Sequence, residues 1–180
     1  MQTVPEEWIY PVGRFTAPET LDLTAFEDAI REIKVLPRIL DACVENLDEA
    51  QLRMPYRDGG WNIQQIIHHL ADSHMNAYIR CKLALTENDP VIKPYDQDLW
   101  AETNDVLLVP HNYSITMLHA LHHRWAVLLA SLSPEQRVLR FYHPESEEYV
   151  AIWEVALKYA WHGRHHAMQI RSFRSRMEWL

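Results

Sequence analysis

The chain has 180 residues, 48% of them apolar, which is enough for one domain with a buried core and argues against disorder. A formal net charge of −8 with no Lys/Arg cluster argues against nucleic-acid binding as the main activity, because phosphate neutralisation needs a basic face. No apolar run approaches the ~20 residues of a membrane helix, and "MQTVPEEWIYPVGRF" has no basic start followed by an apolar block, so the expected location is the cytoplasm, with no signal peptide and no membrane span.

Residues 1–20 read as an N-terminal extension of a single domain covering 1–180. The first helix is expected from about Ala25 to Asn46, with Thr24 and Glu27 at capping-box spacing. Phe26, Ile30, Ile33, Leu40, Val44 and Leu47 form its apolar stripe, and Pro37 should kink it. Asp58-Gly59-Gly60 then signals a turn, and Asn62 with Gln65 opens a second helix that runs to about Glu87. Its stripe includes Ile63, Ile66, Ile67, Leu70, His74, Ala77, Cys81, Ala84 and Leu85.

A long, proline-marked connection follows, from Asp89 to Tyr113. Connections of this length often carry function. The third helix is expected from Ser114 to about Leu132, with Met117, Leu118, Leu121, Trp125, Leu128 and Leu132 on one side. "SPEQR" suits a short helical turn with Pro134 at its first position, and "FYHPESEEYV" suits an irregular or extended excursion. The fourth helix is expected from Ala151 to Met177 on Ile152, Val155, Tyr159, Ile170, Phe173 and Met177. Few glycines and four amphipathic helices predict an all-α four-helix bundle, and the long connection between helices two and three permits a non-meander order.

The chain carries two cysteines, Cys43 and Cys81, each among apolar residues, and no CxxC pair. Both read as buried free thiols, and thiolate zinc sites are excluded. The eleven histidines are the main functional signal, because nine of them cluster at 68, 69 and 74, at 119, 122 and 123, and at 162, 165 and 166.

A helix turns about 100° per residue, which assigns each ring a face. His162 and His166 fall within roughly 40° of the core stripe of the fourth helix, whereas His165 points about 100° away. Two imidazoles on one buried face each need a partner, and neighbours four apart lie ~5–6 Å apart at Cβ, so both can reach one cation. On the second helix His74 lies inside the stripe, His69 on its flank and His68 outward. His69 and His74 therefore compete for a third ligand position. His119 and His123 face solvent, and His122 lies on a flank. "HGRHH" is not H-E-x-x-H, since Gly163 stands where that motif has its general base. The catalytic base is unknown. Asp72, Glu102, Glu154 and the acidic residues of "YDQDLW" are open candidates.

"PYRDGGWNIQQIIHHLADSHMNAYIRCKLALTE", "IKPYDQDLW", "LHHRW" and "YAWHGRHHAMQI" together resemble the DinB superfamily, closest to its YfiT-like branch of metal-dependent hydrolases. The resemblance runs from about Ile9 to the C-terminus. It implies a four-helix bundle, often a homodimer, with one divalent ion per subunit, zinc or nickel, on three histidines. Carried onto this chain, these are His162 and His166 of the H-x-x-x-H pair, and His69, the histidine directly before Leu70. His74 then becomes a core residue or a support behind the ligands. Met75, Tyr78 and Ile79 are candidates for a partner face, and "RDGGW" and "PYDQDLW" for the mouth of the site.

Three protein nitrogens leave coordination positions open, as in catalytic rather than structural zinc sites. Hydrolysis of a small molecule is the first functional expectation. The alternative is a metal-dependent transferase of low-molecular-weight thiols, and a further one is a non-enzymatic binding module stabilised by its metal.

Overall fold

In the computed structural model, which describes residues 4–179, the chain folds as helices with one small hairpin. A short α1 (Glu6–Ile9) precedes α2 (Leu23–Val44), α3 (Glu49–Leu52) and α4 (Ile63–Thr86). The connection holds α5 (Gln97–Trp100) and α6 (Asn104–Leu108), and α7 (His111–Ala130) and α8 (Pro134–Arg137) follow. Antiparallel β1 (Arg140–His143) and β2 (Glu148–Ala151) lead into α9 (Ile152–Arg176).

The four long helices start where local chemistry allows. Asn62 caps α4, its side chain accepting from the Gln65 amide while Gln65 accepts from the Asn62 amide. The cap of α2 differs from expectation: Asp22 accepts from the amides of Thr24 and Ala25, so Thr24 lies inside the first turn. The third long helix also begins earlier than the pattern suggested, at His111 behind Pro110, whose fixed φ suits a helix start.

α2 packs on α7 and α9, and α4 packs on the same two helices, so the consecutive helices α2 and α4 stand diagonally opposed. The core divides into two apolar halves. One holds Phe26, Ile33, Ala77, Cys81, Trp125, Leu129, Ile152 and Val155. The other holds Leu36, Leu40, Ile63, Ile67, Leu70, Leu118, Ile170 and Phe173. Following the numbers between the halves gives each helix its direction. α2 and α9 run one way, and α4 and α7 run the other. Neighbours α4 and α7 are therefore parallel, which explains the long connection: it must return along the bundle before α7 can start. Met117 and Met177, expected on core stripes, are exposed. Cys43 and Cys81 are buried and free, as expected.

Between the two halves lies a layer of histidines. α2 passes it unbroken through Pro37, which is buried. A proline has no amide to give the carbonyl four residues back, here that of Ile33. His122 of α7, fully buried, fills the gap by donating from Nδ1 to the Ile33 carbonyl at 2.6 Å.

Gly163 lets α9 approach α2 closely in this layer, since a Cβ at this position would run into the Leu36 side chain. Gly163→Ala gains about 1 kcal/mol of helix propensity, but overpacking costs about 1–3 kcal/mol, so a net loss of up to about 2 kcal/mol is expected. Chemical denaturation measures it. Leu36→Ala in the same chain should recover part of the loss, whereas independent effects would simply add.

Candidate metal centre

α4 brings His69, and α9 brings His162 and His166, to one point in the polar layer. One ring nitrogen from each lies within 4.8 Å of the others. The closest approach is between His69 Nε2 and His162 Nε2, 3.2 Å apart. Two nitrogens bound to one tetrahedral zinc at about 2.0–2.1 Å are separated by about 3.3 Å. The donor set and its spacing therefore fit a divalent ion. His69 and His166 are buried and His162 is partly so. Burial, followed by the nearby His165, pushes His69 down to about 4. Burial, followed by neighbouring histidines, lowers His162 and His166 well below the usual imidazole range. All three are neutral at pH 7, the form that offers a lone pair to a metal.

The rings are held from behind. Gln169 donates from Nε2 to the Ile9 carbonyl at 2.9 Å and to the Tyr56 hydroxyl at 3.0 Å, which leaves Oε1 as an acceptor. His166 donates to it from Nδ1 at 2.8 Å, so the lone pair of His166 sits on Nε2. His162 Nδ1 lies 3.2 Å from His74 Nε2. With the lone pair of His162 on Nε2, its Nδ1–H donates to His74. His74 thus stands behind His162 and outside the trio. Trp61, from "RDGGW", packs over His69 at 4.6 Å between ring centroids and stacks on His166 at 6.4 Å. Trp61 excludes water from that side.

The open side is a cavity of about 790 Å³ that reaches His162. Ser73 and Tyr159 form its floor, and Pro94 to Asp98, from "PYDQDLW", form part of its wall. That segment lies at the mouth as expected. Arg57, Asp58 and Gly59 line a separate hollow at the bundle end.

The other histidine assignments divide. His119 and His123 are exposed, as the wheel indicates. His68, read as outward, is buried: Ser114 Oγ lies 2.7 Å from its Nδ1, and Nε2 donates to the Val109 carbonyl at 3.0 Å. His165, turned away from the stripe, is also buried, under Trp161 at 4.8 Å and Tyr10 at 5.9 Å. His122 is fully buried rather than on a flank. Of the candidate bases, Glu154 accepts the Ala151 amide and Glu102 is exposed. Asp72 is half-buried, and burial followed by Asp105 raises it to about 6. None of the three lines the cavity. Gln169 escaped the sequence reading as a site residue; the one available signal was a glutamine three places after a core-facing histidine.

Residues 32–170 match the DinB superfamily. A Bacillus mycoides (strain KBAB4) protein, provisionally named a metal-dependent hydrolase, is 48% identical over 170 residues, covering 94% of this chain and 97% of that one. The chain belongs to the DinB superfamily. A second relative of this DinB-superfamily protein, from Bacillus thuringiensis subsp. konkukian (strain 97-27) and with the same provisional name, is 47% identical over the same shares. Among solved structures, YfiT from Bacillus subtilis, described as a probable metal-dependent hydrolase with an unusual four-helix bundle topology, aligns with a TM-score of 0.94. It is 39% identical, over 97% of this chain and 99% of YfiT. The bundle with its parallel pairs is thus a fold this chain shares with YfiT.

Proposed function

We propose that the protein is a metal-dependent hydrolase of a small molecule, holding one zinc or nickel ion on His69, His162 and His166. One observation carries this reading: three neutral imidazoles converge on one point, and one of them, His162, opens onto a cavity of ligand size. The provisional names of the relatives point the same way. When bound, such an ion acidifies water and polarises a carbonyl or leaving group.

The residues around it have separable tasks. Gln169 and His74 hold the protons on the far nitrogens of His166 and His162, which keeps the near nitrogens free. Trp61 shields His69 and His166, so exchange with solvent runs through the cavity at His162. Ser73 donates to the Tyr159 hydroxyl at 3.4 Å, which places two hydroxyls beside His162 for a polar substrate group.

Chromogenic esters and amides test the reading. Turnover should require zinc or nickel, vanish on chelation and return on metal addition without added thiol. Turnover only with bacillithiol, mycothiol or glutathione would replace hydrolysis by thiol transfer. No turnover in any assay, with a large fall in melting temperature on chelation, would leave a metal-stabilised binding module.

A further inference from the structure

Two cations in the cavity have no evident structural task. Arg80 lies on α4, 11 residues beyond His69 or about 16 Å along the axis, and Lys158 lies on α9, one turn before His162. α4 and α9 run in opposite directions, so both cations sit on the same side of the histidine trio. Among the described residues neither forms an ion pair with a carboxylate within 4.0 Å; those pairs involve other cations. Arg80 only reaches the Lys93 carbonyl, at 3.4 Å. The rest of its guanidinium fork is free among the described residues, and such a fork suits a planar oxyanion.

The same cavity wall carries His143, whose Nδ1 is buried without a partner. Burial, followed by the charge of Arg80, lowers its pKa; Lys158 acts in the same sense, and Glu145 and Glu148 oppose it. The three side chains therefore share one corner of the cavity, with Glu145 beside it. Acidic residues also line the cavity: Asp96 spends its Oδ1 on the amides of Asp98 and Leu99, and Asp98 and Glu145 are exposed at the rim, as is Lys158, whereas Arg80 and His143 are half-buried.

We propose that Arg80, Lys158 and His143 bind the carboxylate or phosphate of the substrate, so that the cavity selects small molecules with an oxyanion about one to three helical turns from the reacting bond. The bond to be cleaved then lies against His162, while the anionic end points toward the β-hairpin. What happens to the bound molecule rests on the hydrolase reading; that it binds here does not.

The test is calorimetric titration of the full-length protein, as purified and after chelation, with phenyl phosphate, phenylacetate and neutral benzyl alcohol. Wild-type protein should bind one or both anions in either metal state, more tightly than benzyl alcohol. Arg80→Gln should weaken the anion roughly 10- to 100-fold and the exposed Lys158→Met about 2- to 5-fold, and both should leave benzyl alcohol unchanged. Arg80→Lys should lose less than Arg80→Gln. Anion binding that disappears on chelation and ignores both variants would assign the anion to the metal and overturn the proposal. Equal affinity for the neutral and charged probes would overturn it too. If the anions bind as expected and no ester or amide is turned over, the hydrolase reading alone fails.

Discussion

His166→Ala is expected to lower bound metal from one ion per chain to near zero, and His69→Ala and His162→Ala to do the same. Structural zinc sites bind with about 10–16 kcal/mol over four ligands, so one imidazole carries roughly 3 kcal/mol, or more than 100-fold in affinity. His166 should show the full effect because its ring is already oriented by Gln169 and pays little to bind. His119→Ala and His123→Ala, on the exposed face of α7, should retain wild-type stoichiometry. Elemental analysis and chelator competition on the purified variants supply the numbers. Full occupancy in any of the three trio variants would remove that residue from the ligand set.

His122→Leu is expected to destabilise the fold by about 1–3 kcal/mol, the cost of a buried carbonyl left without a donor. The carbonyl is that of Ile33, which Pro37 cannot satisfy. Pro37→Ala restores an amide there, so it should stabilise the His122→Leu chain by more than it stabilises wild type. A coupling of zero in this cycle would mean that the two residues act independently.

The same ring makes stability pH-dependent. Burial pushes His122 down to about 4, partly offset by its bond to Ile33 and reinforced by His119. Its Nε2 has no partner to receive a proton. The unfolded chain, with an ordinary imidazole near 6.5, binds the proton first. The stabilising contribution is therefore complete above about pH 6.5 and is lost as pH falls toward about 4, by about 3 kcal/mol for this one group. Asp72, raised to about 6, works in the opposite sense, gaining stability as pH falls through that value. Urea midpoints across this window should fall with pH in wild type and fall less steeply in His122→Leu.

The bundle was legible because its helices obey local rules. The Asn62 cap, the proline start of α8 and the 3.6-residue stripe of α4 each operate within a few residues. The H-x-x-x-H pair of α9 was legible for the same reason. His69 was not, because a wheel gives angles within one helix and not that helix's rotation in the bundle. His68 and His165 show a second limit. Segments without periodicity cover the faces that the pattern assigns to solvent. The 87–110 connection lies along α4, where the carbonyls of Ala101, Val106 and Val109 take hydrogen bonds from Gln65, Gln64 and His68. The N-terminal segment likewise lies on α9 through Ile9, Tyr10 and Gly13. His122 and Pro37 form a pair 85 residues apart that no window along the chain can join.

X-ray absorption at the metal edge of the purified, zinc-loaded protein measures the ligand set without any assumption about substrate. Three imidazole nitrogens at about 2.0–2.1 Å, with the remaining position taken by an exchangeable light atom, is the predicted first shell. Four protein ligands, or fewer than three imidazoles, would contradict it.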